Sequence, residues 1–137
     1  MSNPSKEKGT KGETAVVRYL SNNHGIQAQR RPLTGSKDCG DIEMLRPVLK
    51  GQRGTLSDTA HCILEVKSGK QTHRYNRSQK NIWLEQTRKE GVNIGLPAYL
   101  VINVYGKRIE DSEVWSSDGR SFWYLDEFAR GDRSIEL

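Results

Sequence analysis

The longest apolar run in this chain is five residues, Ala98 to Ile102, with Tyr99 counted as apolar. A membrane-spanning helix needs about 20 such residues, so no helix of this chain is expected to cross a bilayer. A short continuous run rich in Leu, Val and Ile instead predicts a strand over Ala98–Val104 that is covered on both faces. The chain is 137 residues long. That length closes one core and leaves no room for a second folded module.

The rest of the chain supplies the cover. Glu13, Val16, Val17 and Leu20 recur at i, i+3, i+4 and i+7 and predict a helix from Gly9 to Asn22. Asn22-Asn23-His24-Gly25 stops it. A strand is expected over Ile26–Arg31, ended by Pro32, then a loop over Leu33–Gly40. Two more strands are expected at Asp41–Leu45 and His61–Val66, separated by the polar connection Pro47–Asp58. A basic loop, Lys67–Asn76, leads into a helix over Arg77–Glu90 that Gly91 should close, with a narrow stripe at Ile82, Trp83 and Leu84. Short strand pieces follow near Val114-Trp115 and over Ser121–Leu125, then a helical tail at Asp126–Arg130. This order is that of a mixed α/β domain. Residues 1–8 read as a flexible basic tail and residues 9–137 as a single domain.

The net charge is +5, and it is unevenly placed. Residues 1–80 carry 15 Lys/Arg against 7 Asp/Glu, and residues 81–137 carry 7 against 10. Between Val66 and Leu84 stand Lys67, Lys70, Arg74, Arg77 and Lys80 with no acid among them. A one-sided basic surface and an isoelectric point near 9.3 point to a polyanionic partner, most simply nucleic acid. A solvated basic face is the alternative that charge alone leaves open. Eight of the ten aromatic residues lie after residue 80, away from the cations. The expectation is therefore a grip on phosphates by charge rather than on bases by stacking. The polar, basic amino end has no hydrophobic segment of the secretory kind. With only Cys39 and Cys62 as cysteines, a reducing, cytoplasmic setting without a membrane partner is expected.

Three carboxylates stand where a core pattern does not call for them. Glu13 shares the inward stripe of the first helix, and a carboxylate facing a core must be paired, hydrogen-bonded or metal-bound. Asp41 opens a strand directly after a glycine loop. Glu65 and Lys67, at i and i+2, project from one face of their strand about 6.6 Å apart. If the strands at 41 and 65 pair, about 4.8 Å separates them, and two carboxylates meet an ammonium. Hard divalent cations take such oxygen ligands together with water and substrate phosphate. A bound cation activates water and neutralises charge developing on a phosphoryl group, and a nearby lysine can orient that water. Taken alone, Glu65-Val66-Lys67 reads more readily as an ordinary surface ion pair, and the upstream Gly40-Asp41-Ile42 and the inward Glu13 shift the balance toward a site. A zinc site from Cys39, Cys62, His24, His61 and His73 lacks ligand spacing, a nucleophilic Cys39 lacks an identifiable histidine partner, and no phosphate-cradling glycine loop of the nucleotide-binding kind is present.

Taken in order, Glu13, the loop Ser36-Lys37-Asp38-Cys39-Gly40-Asp41 and the strand Ile63-Leu64-Glu65-Val66-Lys67 resemble the PD-(D/E)XK nuclease superfamily. Within it, the archaeal-type Holliday junction resolvases are the most similar. The basic, glycine-containing approach to the first helix (Lys8-Gly9-Thr10-Lys11-Gly12-Glu13), Arg30-Arg31, Gly35-Ser36, and Gln79 with Gly91 are shared features. The resemblance covers about residues 8–104. It implies a restriction-endonuclease-like fold, an α/β domain whose mixed central β-sheet is flanked by α-helices, and a homodimer with two active sites. Asp41, Glu65 and the main-chain carbonyl of Val66 would hold Mg2+, or Mn2+ in its place, with Glu13 completing the shell directly or through water. Lys67 would position the attacking water, acting as an electrostatic group before it acts as a base. Lys8, Lys11, Arg30 and Arg31 would hold backbone phosphates and Ser36 would help place the scissile one. Lys70, Arg74 and Arg77 from the cation run, with Gln79, extend that DNA-binding surface. The implied activity is metal-dependent, structure-selective hydrolysis of DNA, with a four-way junction or other branched DNA as substrate. Two alternatives stay open at this level: a nicking, flap-cleaving or restriction-type nuclease of the same superfamily, and a non-catalytic basic DNA-binding protein.

Overall fold

A computed structural model describes residues 4–30, 42–45 and 60–136. Among the described residues, seven strands form one sheet in the order of the chain: β1 (Ala28–Arg30), β2 (Ile42–Leu45), β3 (Ala60–Lys67), β4 (Ala98–Ile102), β5 (Glu113–Ser116), β6 (Ser121–Tyr124) and β7 (Ile135–Glu136). Every neighbouring pair is antiparallel except β3 and β4. Those two run parallel because helix α2 (Arg77–Ile94) carries the chain back between them. Helices α1 (Pro4–His24) and α3 (Leu125–Arg130) complete the fold. The architecture is the expected mixed sheet flanked by helices.

Two apolar clusters occupy the two faces of the sheet. On one face, Val16, Tyr19 and Leu20 of α1 and Leu125 of α3 pack on Ile42, Leu64, Val66, Val101 and Val114. On the other, Trp83 and Leu84 of α2 pack on Leu100, Ile102 and Trp115. β4 contributes to both clusters, which is why its sequence is apolar without alternation. Strand β3 is split differently. Its even-numbered residues Cys62, Leu64 and Val66 face α1, and its odd-numbered ones face α2.

Both long helices outrun their sequence patterns. Helix α1 starts at Pro4 rather than near Gly9, so most of the expected tail lies within it. Proline is well suited to a first turn, where its missing N–H costs nothing. The other end stops as read, at Gly25 in the left-handed conformation (φ 65°). Helix α2 is capped by Asn76, whose side chain accepts the Gln79 N–H at 2.8 Å. It runs through Gly91, the expected stop, to a left-handed Gly95. Gly91 serves a different purpose: a Cβ there would lie 2.9 Å from the Ala98 Cβ and 2.9 Å from the Leu96 carbonyl oxygen. The missing side chain lets the end of α2 settle against the start of β4.

Candidate active site

Strand β3 delivers Glu65 and Lys67 to the α2 side of the sheet near its carboxyl end. The ladder to β4 holds through Lys67, which pairs with Ile102, and the Asn103 N–H donates to the Lys67 carbonyl at 2.9 Å. Both side chains are thus fixed on a strand rather than on a loop. Glu65 is 2% exposed. Its Oε1 lies 3.4 Å from the Lys67 Nζ, so the two side chains expected to share a face form an ion pair. Its Oε2 is buried without a hydrogen-bond donor among the described residues.

A third charged group, absent from the sequence-based set, joins this pair. Glu90 of α2 is 3% exposed and its carboxyl lies against that of Glu65. Burial first, and then the adjoining Glu90 carboxyl, push the Glu65 carboxyl far above the usual range, to about 9, with Lys67 opposing the shift. Two carboxylates buried side by side repel each other, which favours protonation of the pair over its doubly ionised form. The sequence did carry a signal for Glu90. Trp83, Leu84, Thr87, Glu90 and Gly91 are the buried residues of α2, and they follow the helical period. The reasoning that singled out Glu13 on α1 applies equally to Glu90.

Glu13 itself lies on the opposite flank. Its carboxylate accepts a hydrogen bond from the Arg30 Nε at 2.7 Å and is mostly shielded from solvent. Helix α1 crosses the end of β3 at the neighbouring residue: a Cβ on Gly12 would fall 2.2 Å from the Ser68 Oγ. Glu13 therefore reaches the same end of the strand as Glu65, but from the α1 face and bonded to Arg30. The Val66 side chain belongs to the α1-side core. Asp41, Arg31 and Ser36 lie outside the described residues, as does the side chain of Lys8. The last described rung of the β2–β3 ladder pairs Ile42 with Leu64.

The expected phosphate-binding residues fall into two groups. Lys11 and Lys70, both exposed, line one cavity at the end of β3. Arg74 and Arg77 are exposed between the 3-10 turn Lys70–Thr72 and the first turn of α2, where Gln79 spends its main-chain N–H on the Asn76 cap. The expected separation of cations from aromatics does not hold in space. The Lys80 Nζ sits 3.8 Å from the centre of the Trp115 ring, and Tyr105 shares the cavity of Lys11 and Lys70. Folding brings the aromatic carboxyl half across β4 and β5 onto the basic segment.

Cys62 is buried with its thiol against the Met44 Sδ at 3.7 Å, and burial pushes the thiol up to about 12. Among the described residues no three His, Cys, Asp or Glu side chains gather as a metal cage. The Glu65 and Glu90 carboxyls contribute oxygen acceptors only, the ligand type that hard divalent cations take. An Oε2 left without a donor in a nearly dry site is costly to bury unless a proton or a cation meets it.

No protein-family model matches the chain, and no curated protein matches it in sequence. One solved structure with a similar chain path is that of Archaeoglobus fulgidus Hjc, a Holliday junction resolvase from an archaeal hyperthermophile. It is 16% identical, the match covers 80% of this chain and 78% of that one, and the TM-score is 0.48.

Proposed function

We propose that this protein is a divalent-metal-dependent endonuclease acting on branched DNA, with the four-way junction as its principal substrate and a homodimer as its working form. The observation that carries this reading is the Glu65–Lys67 pair. It consists of a buried carboxylate with one oxygen on an ammonium and the other without a donor, on a rigid strand end flanked by exposed cations.

Glu65, Asp41 and the main-chain carbonyl of Val66 are the proposed holders of Mg2+ or Mn2+, with Glu13 joining through water by exchanging part of its bond to Arg30. When bound, such an ion lowers the pKa of a water molecule and offsets the charge that builds on the phosphoryl oxygens. The remaining work falls to the chain. Glu65 fixes the Lys67 ammonium by their ion pair, so its charge faces the reacting phosphate without reorganisation. Lys67 orients water and stabilises the phosphoryl charge. Lys8, Lys11, Arg30, Arg31, Lys70, Arg74 and Arg77 hold backbone phosphates, with Ser36 and Gln79 as neutral contacts, so the DNA is positioned by its shape and not read by its bases.

The test offers four-way junction, flap and linear duplex DNA in Mg2+ to the protein and to its Glu65→Ala variant. The reading expects junction cleavage that is lost in the variant and on chelation, with junction binding retained. Equal cutting of linear duplex would leave a nuclease of another kind. Binding without cleavage by either protein would leave a non-catalytic DNA-binding protein.

A further inference from the structure

We propose that the cavity at the end of β3 receives one unpaired nucleotide of the DNA, its base stacked on Tyr105 and its flanking phosphates held by Lys11 and Lys70. The inference rests on the reading of the protein as a DNA-cutting enzyme, and it deepens that reading by naming the structural feature of the DNA that is selected.

The cavity encloses about 350 Å3 between α1 and the two loops that leave β3 and β4. Lys11 and Gly12 of α1 line it together with Ser68, Lys70, Asn103 and Tyr105 from the two loops. Among the described residues no carboxylate lines it. Two ammonium groups without an acid between them select an anion. A phosphate by itself needs no aromatic wall, yet Tyr105 stands 50% exposed at the rim, its ring 5.8 Å from that of His73. An exposed ring next to cations is the combination that holds a single-stranded nucleotide, since every base offers a face to stack. The volume falls within the usual range for small-ligand pockets, about 300–1,000 Å3. Gly12 keeps the space open at the α1 wall, where a side chain would run into Ser68.

The cavity is also built to stay in register with the catalytic pair. The Asn103 N–H is bonded to the Lys67 carbonyl. One fully buried hydroxyl, that of Thr72, ties both loops together: it accepts the Tyr105 N–H at 2.8 Å and lies 2.8 Å from the Gly69 carbonyl and 3.2 Å from that of Asn103. Tyr105 is thus held at a fixed place relative to Lys67. Ser68 and Asn103 provide hydrogen-bonding groups but no two-pronged fork for a particular base. Selection would then follow the availability of an unpaired base rather than its identity. Unpairing a base costs less at the crossover of a branched DNA, where stacking is interrupted, than within continuous duplex.

The experiment measures binding of the full-length protein, in chelator so that nothing is cut. The probes are two DNA duplexes carrying 2-aminopurine, one at a single unpaired position and the other at a paired one. The proposal expects about tenfold tighter binding of the duplex with the unpaired base and quenching of its fluorescence. Tyr105→Ala should abolish both effects, Tyr105→Phe should keep them, and Lys11→Ala with Lys70→Ala should weaken binding of both duplexes. Equal affinity of the native protein for the two duplexes overturns the proposal. So does a preference untouched by Tyr105→Ala, which would leave a phosphate site only. Failure to bind either duplex sinks the DNA-cutting reading and this inference with it. Binding with the expected preference but no junction cleavage in Mg2+ would overturn the former and uphold the latter.

Discussion

Strand β3 has two faces made by alternate residues of one segment, and they do opposite things. Cys62, Leu64 and Val66 look toward α1 and are sealed in hydrocarbon and sulfur. Glu65 and Lys67 look toward α2 and meet each other and Glu90, with Trp83, Leu84 and Ile102 forming the apolar cluster of that side. A step of one residue along the strand thus separates a surface that only stabilises from one that spends stability on charge. The comparison teaches how a site is kept stiff: the reactive pair is anchored from behind by a dry core that it does not touch.

This contrast can be broken most sharply at Glu65. Glu65→Ala is expected to lower single-turnover junction cleavage by about 100- to 1,000-fold, the cost of deleting one preorganised electrostatic group, while circular dichroism stays native. A loss of activity that merely follows unfolding would erase the distinction between the faces. The reciprocal change is Leu64→Ala, one residue away and fully buried. It should cost about 2–5 kcal/mol in denaturant unfolding and leave the cleavage rate per folded molecule unchanged.

At the crossing of α1 over β3, Gly12→Ala forces a methyl group into the Ser68 side chain. About 1–3 kcal/mol of destabilisation is expected, partly recovered when Ser68→Gly is added, as a double-mutant cycle would show. The comparison is sharpened further through pH. In the folded protein, burial and the adjoining Glu90 carboxyl push the Glu65 carboxyl up to about 9, whereas 4.5 is the ordinary value. Between those two values the folded chain holds a proton that the unfolded chain has released. Stability should therefore be greatest below the lower value and fall as pH rises, by at most about 1.4 kcal/mol per pH unit for one proton. Unfolding of Glu65→Gln measured across the same range should lack this slope. A native protein with a flat profile would mean that the α2 face bears no such charge burden.

Much of the fold was readable because each element announces itself locally. The alternation through Cys62–Lys67 placed Glu65 and Lys67 on one face, and the stripe of Glu13, Val16 and Leu20 oriented α1. The segments read as helix and strand are found in the order expected. Where the reading fell short, a neighbour outside the element was responsible. Gly91 looked like a stop because glycine disfavours helix, but its place is set by Ala98 and Leu96 pressing against it. Glu90, the last residue of that expected helix, was not among the candidate site residues.

The sequence by itself determined the register of side chains within each element: which residues of β3 share a face, which stripe of α1 is apolar, and where the cations and aromatics lie along the chain. Only the tertiary structure decided which of those faces meet. It set Glu90 against Glu65, gave Glu13 to Arg30, and carried Tyr105 to Lys11 and Lys70. The physical reason is that periodicity is fixed by backbone geometry within a few residues. Proximity between distant segments depends instead on how whole faces pack, and no local pattern encodes it.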